Sequence, residues 1–211
     1  MSNNIDAQTP TFIGKYTELR PVDMQSLKHL YLWHLELEYE LAHFVLDGPK
    51  IPNELMFKEN FLQQLKNRYH LFLFIYPKRK DASGEPIGFI STYRYNDIDG
   101  HVQISVFITP KYRSKHYSLE AGILLVNYLF TYFPLRKICG TVYEYNTVCL
   151  KVLKAAGFHI EGEMIEHKYY NGKYHNVILL ALFRKTFYER AQKFIVRIQN
   201  SRVNNNRELP E

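Results

Sequence analysis

Phe107-Ile108-Thr109-Pro110-Lys111-Tyr112-Arg113-Ser114-Lys115-His116-Tyr117-Ser118-Leu119-Glu120-Ala121 is the stretch on which the reading of this chain turns. It runs from an apolar strand end through a proline and a basic loop into a helix. Ser118, with Glu120 in the first turn, marks the helix start, and apolar spacing carries the helix to Phe133. A tight loop between a strand and a helix points several unbonded backbone N–H groups into one concavity. Together with the positive end of the helix dipole, that concavity suits a pyrophosphate. Lys111, Arg113, Lys115 and His116 surround it with positive charge. Taken alone, the segment reads as a basic surface loop before a core helix; its surroundings reverse that preference.

Working outward, Thr17–Arg20 reads as a short first strand, and Pro21-Val22-Asp23 leads to a helix N-cap. From Met24 to about Phe44, Leu27, Leu30, Leu35 and Leu41 recur at near-helical spacing. Gly48-Pro49 and Ile51-Pro52 interrupt the pattern, and residues 53–67 make a second helix. Leu71–Ile75 is a buried strand, residues 78–86 a turn, and 87–95 and 102–108 two strands around a hairpin at Asp97–Gly100. After the helix at 118–133 come a strand at 137–142, a helix at 147–156 closed by Gly157, and two strands across Asn171-Gly172. The order predicts an α+β domain with helices on both sides of a mixed central sheet. Residues 1–184 form that domain. In 185–211, Phe187, Tyr188, Ala191, Phe194, Ile195 and Ile198 predict an amphipathic helix that packs on the domain or on a second subunit, as in a homodimer. Disorder is expected from Asn200.

Composition narrows the function. Hydrophobic residues make up 46% and aromatics 15% of the 211 residues, enough for a sizeable core. Of the net charge of +6, seven basic residues against three acids from Arg184 onward supply about +4, so the body is near neutral. A tail-borne charge argues against nucleic-acid binding, which wants a basic face on the folded domain. No apolar run approaches the roughly 20 residues of a membrane span. Met1–Thr9 is polar and unlike a signal peptide, and Cys139 and Cys149 are the only cysteines, without metal-like partners. A cytoplasmic, metal-free protein is expected.

Six short pieces then occur in order: Ile87-Gly88-Phe89-Ile90; Phe107–Pro110; Tyr112–Ala121; Asn146–Phe158, with Ala156-Gly157-Phe158; Glu161-Gly162; and Tyr170–Tyr174. In this order and spacing, Ile87–Phe183 resembles the GNAT superfamily of acyl-CoA N-acyltransferases, in its RimJ/RimL style. The resemblance implies a three-layer α/β/α fold with a mostly antiparallel sheet that splays into a V. It implies acetyl-CoA as co-substrate and direct attack by a primary amine, of a small molecule or a protein N-terminus, in a ternary complex. Val106, Phe107 and Ile108 would offer main-chain groups to the pantetheine arm; Arg113, Ser114, Lys115, His116, Tyr117 and Ser118 would cradle the pyrophosphate, and Asn146 would lie beside the arm. Cys149, where relatives often have Ser, would stand near the cofactor sulfur and exchange a proton with it as thiol or thiolate.

The chain also departs from its relatives. His116 stands where the loop usually has Gly, and so must take a glycine-like backbone or bend the loop. Leu153 replaces a Tyr acid, Gln103 a Glu base, and Asn176 an Asp. Replacement bases are expected in Glu38, flanked by Glu36 and Glu40 near Trp33, His34 and His43, or in Glu144. The competing expectation is a CoA-binding or interaction module without catalysis.

Overall fold

The computed structural model describes residues 12–35, 53–67, 70–78, 84–113, 116–170, 172–192 and 194–195. In chain order they form β1 (Phe12–Ile13), β2 (Thr17–Pro21), α1 (Leu27–Leu35), α2 (Glu54–Leu65), β3 (Phe72–Pro77), β4 (Gly88–Asn96) and β5 (His101–Ile108). A 3-10 turn (Pro110–Tyr112) follows, then α3 (Tyr117–Tyr132), β6 (Lys137–Tyr143), α4 (Thr147–Ala156), β7 (His159–Tyr170) and β8 (Lys173–Phe183). A last helix, α5, covers 184–192.

The strands form one eight-stranded sheet in the order β1-β2-β3-β4-β5-β6-β8-β7. All pairings are antiparallel except β5 with β6. β3 shows how sequence builds this centre. Leu73 and Ile75 point to one face while Phe74 and Tyr76 point to the other, and all four are buried. A strand covered on both faces must be apolar at every position, which is why Leu71–Ile75 shows no alternation of polar with apolar.

On one face, α1 and α2 bring Leu27, Leu30, Trp33 and Phe61 down on Phe74, Tyr76, Phe89 and Phe107. Trp33 sits 5.5 Å from the Phe107 ring and 6.0 Å from Phe74. On the other face, Leu124, Leu125, Leu129 and Phe130 of α3 pack with Ile75, Ile90, Val102 and Ile138, and the same cluster takes in Phe187 and Ala191 of α5. The result is the expected three-layer sandwich.

Arg184, counted above among the tail charges, begins α5 as a structural clamp. Its guanidinium donates to the carbonyls of Phe133 at 2.8 Å, Leu135 at 2.9 Å and Phe130. Two of these belong to the end of α3, where helix carbonyls lack partners and a cation is favoured.

The helix expected to start at Ser118 begins one residue earlier. β1 was not anticipated: its two residues are too short to carry a period. Residues 36–44 of the long first helix lie outside the described residues, with Glu36, Glu38, Glu40 and His43; so do Ser114, Lys115, Asn171 and the tail from Asn200.

Candidate active site

Strands β5 and β6 run parallel, but their register covers only His101↔Lys137, Val102↔Ile138 and Gln103↔Cys139. Beyond those pairs they diverge, and a V opens between them. Alternation decides which groups line it. Thr109 N–H donates to the Ile87 carbonyl at 2.9 Å, so odd-numbered residues of β5 turn their main chain toward β4. Ile104, Val106 and Ile108 therefore turn theirs toward the V. On the opposite lip, Arg184 N–H bonds the Arg136 carbonyl, so even residues of β6 face β8, and Thr141 and Tyr143 face the V.

The three β5 candidates are thus not equivalent. Val106 and Ile108 present main chain to the gap. Phe107 is bonded toward β4 opposite Phe89, and its side chain is buried against Trp33. The Ile108 carbonyl already accepts from Arg113 Nε at 3.0 Å, which folds the Arg113 side chain back over the strand end. Gly88 is fixed by this crossing: a Cβ there would lie 2.1 Å from the Phe107 carbonyl oxygen.

Past the 3-10 turn, His116 takes φ 64°, ψ −6°, the left-handed conformation. The glycine-like backbone is therefore retained with a histidine in place. This conformation costs a non-glycine residue about 1–2 kcal/mol. His116→Gly is expected to raise unfolding stability by about 1 kcal/mol, read from the denaturant midpoint. The His116 ring stacks on Tyr16 at 6.2 Å. With Leu119, Glu120 and Phe194, these rings line a cavity of about 180 Å³.

The first helical amide with a partner is Glu120 N–H, on the His116 carbonyl at 3.0 Å. The amides of Tyr117, Ser118 and Leu119 precede it and carry the positive end of α3. Tyr117 is buried, so its side chain anchors the helix and only its main chain is offered, whereas Ser118 is exposed.

One residue that holds this loop shows in the sequence only as a first-turn acid. Glu120 is 1% exposed. Its carboxylate accepts from the N–H groups of Lys15, Tyr16 and Thr17, each at 2.7 Å, and from Thr17 Oγ1 at 2.5 Å. A buried carboxylate needs such donors. It ties the β1–β2 turn to the start of α3, and Gly14 is part of the same joint.

Asn146 is the N-cap of α4, accepting from Cys149 N–H at 3.1 Å. Cys149 is one turn into the helix, and burial pushes its thiol from the ordinary 9.0 up to about 11. Burial thus favours the neutral thiol over the thiolate at this position. Because the folded value is the higher one, the thiol's contribution to stability is complete below pH 9 and is lost as pH rises toward 11. Between pH 8.5 and 11 the wild type should lose about 2 kcal/mol more stability than Cys149→Ser, as chemical denaturation of both proteins would show. Leu153 packs toward β6, its Cδ1 3.8 Å from where a Gly140 Cβ would stand.

The face of the sheet opposite α3 holds the remaining polar groups. Gln103 lies between Tyr93 and Cys139, and its Oε1 is buried with no hydrogen-bond partner among the described residues. Burial raises the pKa of Tyr93 and of Cys139, holding both neutral. At the end of β6, Glu144 Oε1 lies 3.1 Å from His175 Nδ1 on β8. Tyr145 stands over this pair, 4.7 Å from the His175 ring, 5.3 Å from Tyr143 and 5.2 Å from Tyr170. Burial and the two neighbouring tyrosines raise its pKa well above the usual phenol range. His175 was missed in the sequence: nothing in its spacing from Glu144 marks the contact. Asn176 is committed locally, donating to Glu163 at 2.8 Å and accepting from Glu166 N–H at 2.9 Å across a bulge of β7.

Among known proteins, a spermidine N(1)-acetyltransferase of Escherichia coli (strain K12) is 23% identical over 173 residues, covering 81% of this chain and 87% of that protein. The solved structure of spermidine N-acetyltransferase from Vibrio cholerae in complex with CoA and spermine superposes with a TM-score of 0.71 at 18% identity, over 81% of this chain and 97% of the other. RimL, a ribosomal L7/L12 alpha-N-protein acetyltransferase solved with coenzyme A, gives 0.70 at 18% identity, over 82% and 97%. The family model of the acetyltransferase (GNAT) domain matches residues 17–159, from β2 to the start of β7. This chain belongs to the GNAT acetyltransferase family.

Proposed function

We propose that the protein transfers the acetyl group of acetyl-CoA to a primary amine by direct attack in a ternary complex. The observation that carries the reading is the V, where Val106 on β5 and Thr141 and Tyr143 on β6 turn main-chain groups to one another with no strand between them. An extended pantetheine arm supplies the missing strand. Its pyrophosphate lies at the amides of Tyr117–Leu119, near Lys111, Arg113 and His116, and Asn146 flanks the arm; Ser114 and Lys115 are further proposed phosphate contacts. Holding thioester and amine together provides most of the acceleration such a reaction needs.

For the acceptor we favour an aliphatic polyamine over a protein N-terminus. The Escherichia coli relative named for spermidine covers four-fifths of the chain, and Glu144 with three tyrosines gives the open face opposite α3 a carboxylate and π surfaces that suit a cation. Glu38 is a further proposed contact for that cation. A cytoplasmic setting and a homodimer accord with this reading. Among the described residues no helix is long and apolar enough to cross a membrane.

Calorimetry with acetyl-CoA, followed by thiol release across spermidine, spermine and N-terminal peptides, tests the proposal. Binding with turnover on the polyamines is the expected result. Turnover on peptides alone would move the acceptor to protein N-termini. Binding without turnover on any amine would favour a non-catalytic CoA-binding module.

A further inference from the structure

We propose that Glu144 and His175 work as one unit that takes the proton the acceptor's ammonium must lose before its nitrogen can attack. The proposal rests on the acetyl-transfer reading above. It begins with a vacant base position. Gln103 is no base, Leu153 carries no proton, and the Cys149 thiol is held protonated by burial.

The pair itself is built like a proton acceptor. An ionised carboxylate only accepts hydrogen bonds, so the 3.1 Å contact with Glu144 places the hydrogen of a neutral His175 ring on Nδ1. That leaves a lone pair on Nε2. His175 is 5% exposed, and Nε2 is buried with no hydrogen-bond partner among the described residues. Buried nitrogens are almost always bonded, so the open Nε2 calls for an explanation, and a proton-accepting role supplies one.

Position supports the same role. Val177 pairs with Tyr143, and His175, two residues earlier on β8, shares their face, which is also the face of Gln103 and Cys139. Tyr145 lies edge-on to the His175 ring at 4.7 Å, and Tyr170 is 6.0 Å away. The groups facing His175 are Glu144 after β6, Tyr145 in the same loop, and Tyr170 and Lys168 on β7, the last directly opposite it in register. The proton reaches the buried Nε2 after the Tyr145 ring, edge-on to it, swings aside.

The step balances. The ammonium gives one proton to Nε2. Its nitrogen then forms the C–N bond to the thioester carbon, and the C–S electron pair goes to sulfur. The surplus proton on nitrogen passes to that sulfur, CoA leaves as a thiol, and His175 returns its proton to water.

The test compares wild type, Glu144→Ala and His175→Gln in acetyl-CoA affinity by calorimetry and in kcat and KM for spermidine from pH 6 to 10. Glu144 is half-exposed, so its variant reports even if the His175 variant fails to fold. The expected result is unchanged acetyl-CoA affinity and a kcat about 100-fold lower at pH 7, recovering as pH rises and the amine arrives already deprotonated. Wild-type turnover with a variant kcat that equals it, or that parallels it at every pH, overturns this proposal alone. A wild type that binds acetyl-CoA but acetylates no amine overturns the acetyl-transfer reading, and this proposal with it.

Discussion

Glu120→Ala is expected to lower unfolding stability by about 4 kcal/mol and the melting temperature by roughly 10 °C. Four hydrogen bonds end on this one carboxylate, from Lys15, Tyr16 and Thr17. Bonds to a charged acceptor contribute about 1.5–3 kcal/mol each, and not additively, and their loss leaves three backbone N–H groups without an acceptor. The loss should extend to acetyl-CoA affinity, because the same joint fixes the start of α3. Gly14→Ala reports on the contact from the other side. Its Cβ would fall 2.4 Å from the Glu120 carboxyl carbon, so it should destabilise without removing a charge. Differential scanning calorimetry of both variants is the check; melting temperatures equal to wild type would refute the joint.

Ser118→Glu is expected to separate stability from binding. Ser118 is exposed in the first turn of α3, where a carboxylate gains about 0.3–1 kcal/mol from the helix dipole, so the melting temperature should hold or rise slightly. The same carboxylate would sit where the pyrophosphate belongs. Two like charges about 4 Å apart repel by about 4 kcal/mol at a surface-like dielectric, which screening and side-chain movement reduce. A loss of at least about 100-fold in acetyl-CoA affinity is expected, easing as salt is added. Calorimetry at low and high salt would show it. Unchanged affinity would remove the helix terminus from the cofactor site.

The elements most legible in the sequence were those with local punctuation. The Asp97–Gly100 hairpin, the end of α4 at Gly157 and the Gly172 turn follow from residues a few positions apart. The layered fold followed from the order of apolar segments. The carboxylate of Glu120 meets partners 103 to 105 residues away, and no period or motif carries that distance. His175 and Glu144 are likewise joined only because β8 returns beside β6. Phe107 shows the limit of naming a run of strand residues: pleating turns alternate main-chain groups to opposite neighbours, and the register that chooses between them is absent from the sequence. His116 shows a different limit. The sequence posed the question of its backbone, and the left-handed angle answers it.

The central claim is that acetyl-CoA completes the sheet in the V and rests its phosphates on α3. Titrating acetyl-CoA into isotope-labelled protein and following backbone amide resonances tests this most directly. The account predicts large shifts at Ile104, Val106, Thr141 and Tyr143 and at Tyr117, Ser118 and Leu119, with Phe107 moving far less than Val106. Shifts confined to other surfaces, or none at saturating acetyl-CoA, would contradict it.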